Sequence, residues 1–168
     1  MTSTFKSTLI EKRTGTYAAV NYDESSCDIL ESLIKLWNIP NPIKSEHFHS
    51  TLIYSRKPIT VNDQHNMDAV ELKSRGWKFK LNSLKMFDSS AKKHDDSVLV
   101  MILDAPELVL LHNVLIEKGA THDFATFIPH ITLSYSAKDF DWSGIQIPDL
   151  HIVPSEVYFE PLDLNWKD

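Results

Sequence analysis

The stretch His49-Ser50-Thr51-Leu52-Ile53-Tyr54-Ser55 recurs as His130-Ile131-Thr132-Leu133-Ser134-Tyr135-Ser136. Five of the seven positions are identical, and the copies start 81 residues apart in a chain of 168. Self-similarity at half the chain length is the mark of a duplicated unit. The flanks repeat in kind. Upstream of the first copy, residues 16–22 read as a strand. Ser25 and Asp28 offer a capping box, and Leu30, Leu33, Ile34 and Trp37 then fall on one helical face. Asn38 and Pro40 end that helix. Upstream of the second copy, residues 97–103 read as a buried strand. Pro106 suits a first helical position, Leu108, Leu111, His112 and Leu115 form the helical face, and Gly119 suits the C′ position. Each half therefore reads strand, helix, then a strand carrying the repeat, with pseudo-two-fold symmetry between them.

Between the halves, Trp77, Phe79 and Leu81 alternate with Lys78 and Lys80, a half-buried strand. Residues 89–96 read as a hairpin loop and 137–144 as another loop. Residues 152–159 read as a last strand that Pro154 confines to an edge or a bulge. One domain, 1–168, is expected, with lobes of roughly 1–75 plus the tail and 76–150. With 42% hydrophobic and 24% charged residues, the composition is that of a globular chain and excludes collagen-like, coiled-coil and wholly disordered classes. The apolar run 98–103 is too short to span a bilayer, and residues 1–15 lack the apolar core of a signal peptide. A formal charge of −6 argues against gripping a long nucleic acid, which rewards basic surfaces, yet allows a small anion in a locally positive pocket. The lone Cys27 rules out an internal disulfide and fits a reducing cytoplasm.

The chemistry lies in the repeat. Residues i and i+2 of a strand share a face, so His49 projects with Thr51 and His130 with Thr132. Leu52, Tyr54, Leu133 and Tyr135 fall on the opposite, packing face. If the halves pair about a pseudo-two-fold axis, one cleft receives two imidazoles and two hydroxyls. Phosphodiester cleavage needs a base for the attacking oxygen and an acid for the leaving oxygen, and imidazole can serve as either near neutrality. The threonines can donate to non-bridging phosphate oxygens, where charge develops. The scheme needs no metal or other cofactor. His47-Phe48-His49 has no third ligand at metal-binding spacing.

These motifs resemble the two H-x-T-φ motifs of the 2H phosphoesterase superfamily, which includes the LigT-like RNA cyclic phosphodiesterases. Gly15-Thr16-Tyr17-Ala18, Phe127-Ile128-Pro129-His130-Ile131-Thr132-Leu133 and the tail from Glu160 to Trp166 narrow the resemblance to the bacteriophage anti-CBASS family, over nearly the whole chain. The resemblance implies a bilobal α+β fold with duplicated antiparallel sheets flanking a catalytic cleft and helices outside. It implies catalytic roles for His49 and His130, phosphate contacts from Thr51 and Thr132, and nucleotide contacts from Tyr17, Glu160 and Trp166. Tyr17 and Trp166 can stack a base, and Glu160 can accept from a base amino group or a ribose hydroxyl. The implied substrate is a cyclic di- or trinucleotide used as an alarm signal by bacterial CBASS defence. The implied place of action is the cytoplasm of the infected host, with the chain taken as a monomer and no membrane partner. An RNA-end enzyme acting on 2′,3′-cyclic phosphates or 2′–5′ linkages, and a sponge that holds the nucleotide uncut, are the alternatives. The symmetric motif leaves open which histidine is the acid, and whether the 2′-hydroxyl or water attacks.

Overall fold

The computed structural model describes residues 14–88, 97–122 and 126–163. The expected 89–96 loop and Trp166 lie outside them. The first half opens with β1 (Thr14–Tyr22), α1 (Glu24–Leu36) and β2 (His49–Ser55). Helix α1 is capped two residues earlier than the expected Ser25–Asp28 box. Asp23 is the N-cap, and its carboxylate accepts from the Ser26 amide at 2.8 Å. A carboxylate here satisfies an orphan N–H and meets the positive end of the helix dipole, which leaves Ser25 and Asp28 inside the helix. Leu30, Leu33 and Ile34 are buried, as their spacing requires. A short helix, α2 (Ala69–Ser74), leads to β3 (Phe79–Asp88); Trp77 sits just ahead of the strand, its ring 6.2 Å from that of Phe79.

The second half repeats the first. It comprises β4 (Ser97–Asp104), α3 (Pro106–Glu117) and β5 (His130–Ser134). Pro106 opens α3, Leu108, His112 and Leu115 are buried, and Gly119 adopts φ +101° after the helix, where any side chain would be strained. The chain then forms β6 (His151–Ile152) and β7 (Pro154–Asp163).

Two antiparallel sheets result, ordered β2-β1-β7 and β5-β4-β3-β6. Pro154 begins β7 at an irregularity opposite Tyr22, directly after β6 leaves the other sheet. The proline therefore costs no ladder bond in a central strand and marks the point where the chain changes sheets. The repeats occupy the edge strands β2 and β5, which approach one another. One continuous core, from Val20 and Leu52 to Met101 and Leu133, runs through both halves.

The two edge strands share an irregularity. On β1, Ala19 pairs with Thr51 and Ala18 with Ile53, so Leu52 is the extra residue of a bulge. On β4, Val100 pairs with Thr132 and Leu99 with Ser134, so Leu133 is the extra residue. A bulge re-aims the side chains that follow it. Leu52 and Ile53 are consequently both buried, as are Leu133 and Ser134. The expected packing of Tyr54 and Tyr135 fails for this reason. Tyr54 returns to the His–Thr face and meets Tyr17, with ring centroids 6.3 Å apart. Tyr135 lies past the end of β5 and is exposed.

Candidate active site

The two histidines are held alike. His49 Nδ1 lies 2.9 Å from the carbonyl oxygen of His47, and His130 Nδ1 lies 2.6 Å from that of Ile128. A carbonyl only accepts, so each Nδ1 carries the proton and each neutral ring presents a lone pair at Nε2. The local sequence explains the repetition: each histidine is the first residue of its strand, and the carbonyl two residues back turns toward the ring. The bond fixes tautomer and ring orientation together, as a positioned acid or base requires.

The environments differ. His130 titrates below the ordinary histidine value of about 6.5. Burial is the main cause, helped by repulsion from His49 and opposed by the bond to Ile128. The edge strands β2 and β5, each opened by one of the two histidines, approach one another. Thr51 and His130, from opposite sheets, line a single cavity of about 280 Å³ with Phe87, His122, Phe127 and Ile128. His49 opens onto an adjoining cleft with Asn21, Glu46, His47 and Tyr158. Thr132 is half-buried two residues along from His130 and is not a wall of the larger cavity.

On the first sheet the register builds a continuous polar and aromatic face. His49, Asn21 and Glu156 lie in one row, Thr51, Ala19 and Tyr158 in the next, and Tyr54, Tyr17 and Glu160 in the third. Tyr17 is the hub of this face. Its hydroxyl lies 3.1 Å from Thr51 Oγ1, and its ring is 6.4 Å from that of Tyr158. Burial raises the Tyr17 phenol despite the Thr51 bond, with Glu160 adding repulsion. Burial, with repulsion from Tyr17 and Glu160, pushes Tyr158 up to about 12. Both phenols are therefore neutral hydrogen-bond donors near pH 7. Glu160 is exposed beside Tyr17. Tyr54, expected on the packing face, borders the site with Tyr158, Phe87 and His122, none of which is a site candidate from the sequence. The bulge at Leu52 brings in Tyr54, and long-range strand register brings in Tyr158. Among the described residues, no three His, Cys, Asp or Glu side chains are grouped to hold a metal ion.

Paired antiparallel sheets that meet at edge strands bearing His-x-Thr define the class: a LigT-like 2H phosphoesterase fold. LigT of E. coli, solved in complex with NADP+, matches it with a TM-score of 0.50, covering 89% of this chain and 98% of that one at 14% identity. Sequence comparison is more specific. The family described as Anti-CBASS protein Acb1 matches residues 14–168. The Anti-CBASS protein Acb1 of Enterobacteria phage T4 is 38% identical over 156 residues, covering 92% of this chain and 93% of the relative. That of Salmonella phage S16 is 34% identical over 155 residues, covering 92% of each. The chain belongs to the anti-CBASS protein Acb1 family.

Proposed function

We propose that the chain cleaves cyclic di- and trinucleotide signals to linear products without a metal, so that a phage escapes CBASS immunity in the host cytoplasm. The observation that carries this reading is the matched pair of imidazoles, each with Nδ1 tied to a carbonyl and Nε2 left for proton transfer, on edge strands that approach one another. Desolvated His130 is neutral at pH 7 and takes the proton of the attacking oxygen at Nε2. His49, on the more open side, acts as the imidazolium, with Nδ1–H on the His47 carbonyl and a second proton at Nε2, and gives that Nε2 proton to the leaving ribose 5′ oxygen as the P–O bond breaks. The attacker is the adjacent ribose 2′-hydroxyl, already held near the phosphorus, and the first product carries a 2′,3′-cyclic phosphate. Water then opens that ring with the histidines in exchanged roles. Thr51 and Thr132 donate to the non-bridging oxygens as charge builds there. Tyr17 orients Thr51 through their shared hydrogen bond, and Tyr17, Glu160 and Trp166 contact the bases. Among the described residues, no helix is long and apolar enough to cross a membrane.

The test is incubation with a panel of cyclic di- and trinucleotides in excess EDTA, with products identified by mass. Linear products are expected at an undiminished rate. Loss of activity that Mg²⁺ or Zn²⁺ restores rejects the metal-free scheme. Intact ligand recovered after denaturing the protein makes it a sponge. Faster turnover of an RNA with a 2′,3′-cyclic phosphate end assigns it to RNA ends instead. A 2′-deoxyribose at the cleaved position should abolish cleavage; equal rates assign the first attack to water.

A further inference from the structure

The cavity shared by Thr51 and His130 has apolar walls beside a site built for a phosphate. Phe127 stacks flat on His112, with centroids 4.1 Å apart and planes 5° apart. His112 is buried, and its Nδ1–H donates to the Leu52 carbonyl at 2.8 Å. His122 stands edge-on to His112, with centroids 4.7 Å apart. Its Nδ1 accepts from the Tyr54 amide at 3.2 Å. Two histidines outside the reaction thus bind backbone groups at the β2 bulge and two residues past it, and fix the plane of Phe127. On the other wall, Phe87 meets the His130 ring at 76° with centroids 5.0 Å apart. The aromatic walls are held in place before any ligand arrives, so little ordering is left to oppose binding.

At about 280 Å³ the cavity falls just under the ~300 Å³ at which pockets begin to take whole drug-sized ligands. It suits one flat ring system of a larger ligand. We infer that this cavity is a nucleobase subsite, which takes the base next to the phosphate held at Thr51 and His130 by stacking against Phe127 and Phe87. The inference rests on the reading of the substrate as a nucleotide. Neither phenylalanine offers a hydrogen bond, so the subsite grips a base while tolerating its identity, as aromatic platforms do. Base choice then falls to the opposite face, where Tyr17 and Glu160 carry hydrogen-bonding groups.

The experiment uses an H49A protein, whose turnover the mechanism slows by about 10²–10⁴ and whose change lies outside this cavity. AMP and ribose 5-phosphate are titrated by NMR, which reads weak binding, following the His130 ring signals. AMP should bind roughly 5- to 150-fold more tightly, the worth of one base–aromatic stack. Adding F127L, which keeps the apolar bulk, should close most of that gap and leave ribose 5-phosphate unchanged, a check that the site remains folded. F127Y should restore the gap. UMP should show a similar dependence on Phe127. The inference is overturned if AMP gains nothing over ribose 5-phosphate, or if the gap survives F127L. It is also overturned if F127L weakens both ligands equally and F127Y does not restore AMP, since Phe127 is then only a support for the fold. Wild-type protein that cuts a cyclic dinucleotide while the gap survives F127L loses the subsite alone. A gap that closes in a protein that cuts no cyclic nucleotide keeps the subsite and overturns the proposed substrate.

Discussion

The unit β1-α1-β2 and the unit β4-α3-β5 have the same backbone and different faces. In both, the leading histidine donates Nδ1–H to the carbonyl two residues back, and the leucine after the threonine is the extra residue of a bulge. The heptads differ at two positions. Buried Ser50 lies 2.7 Å from the Tyr22 hydroxyl where the other copy has Ile131. Buried Ser134 donates to the Pro40 carbonyl at 2.7 Å where the other copy has Ile53. Each buried hydroxyl has a local partner, so each substitution is affordable in its own half only. The sheet faces differ more. Strand β7 stands beside β1 as β3 stands beside β4. The pairs Ala19–Tyr158 and Tyr17–Glu160 therefore correspond to Val100–Lys85 and Val98–Phe87. The halves share the tie of each histidine to a backbone carbonyl and differ in what they offer a ligand: phenols and a carboxylate on one side, an apolar aromatic wall on the other.

The catalytic part of that symmetry breaks most visibly under mutation. H49A and H130A should each lower kcat by a factor of about 10²–10⁴. The double variant should be little worse than either single one, because acid and base serve one transfer. Product formation from a cyclic dinucleotide at saturation measures this. A single variant that stays within tenfold of wild type removes its histidine from the chemistry.

The matched bulges are the structural part. Leu52 and Leu133 are both fully buried. L52A and L133A should each cost about 2–5 kcal/mol in urea unfolding, the usual loss for a large apolar side chain in a core. Similar losses support equivalent bulges. A cost under about 1 kcal/mol at one of them shows that this half repacks and that the symmetry is only in the backbone trace.

Electrostatics sharpen the comparison on a smaller scale. His130 should titrate below about 6.5, read from its ring signals by NMR. The acidic limb of the pH–rate profile should fall below that value too, because the base remains neutral to lower pH. An H49Q change removes a neighbouring positive charge, so protonating His130 becomes easier and its pKa rises. Burial, the larger cause, is unaffected, so the value should remain below the ordinary one. An unchanged His130 titration in H49Q means that the rings are too distant to act on one phosphate.

Much of this was legible in the sequence. The heptad repeat, with matching helical faces upstream, gave the duplicated architecture, because periodicity and strand alternation are local properties. The placing of His49 with Thr51, and of His130 with Thr132, on one strand face follows from two-residue spacing. Tyr54 did not, because a bulge is one unpaired residue in a ladder and leaves no mark on alternation; the His–Thr face acquires Tyr54 only once Leu52 is squeezed out of register. Tyr158 was out of reach for a related reason. It joins the site through pairing between residues far apart in the chain, and Ala19, opposite it, has no distinctive side chain. His112 read as one position on an apolar helix face, and nothing local tells that its Nδ1 reaches the Leu52 carbonyl.

The smallest expected effect concerns the helices that link the strands of each half. Helix α1 begins at Asp23, whose carboxylate accepts from the Ser26 amide at 2.8 Å. Helix α3 begins at Ala105, which has no side-chain cap, and relies on Pro106 to set the first turn. The difference has a tertiary cause. The Asp23 amide donates to the Val153 carbonyl at 2.9 Å, and the Val153 amide donates to Ser26 Oγ at 2.7 Å. The first turn of α1 thus clamps Val153, where the chain passes from β6 to β7 and from one sheet to the other. Helix α3 has no such crossing to hold. D23A should therefore cost about 1 kcal/mol in urea unfolding, within the range for a lost N-cap, with D23N recovering most of it. P106A should cost less, since proline at a first helical position contributes mainly a preset φ. If P106A is the more damaging change, the preset first turn of α3 outweighs the clamp at Val153, and the second unit rather than the first carries the more sensitive helix start.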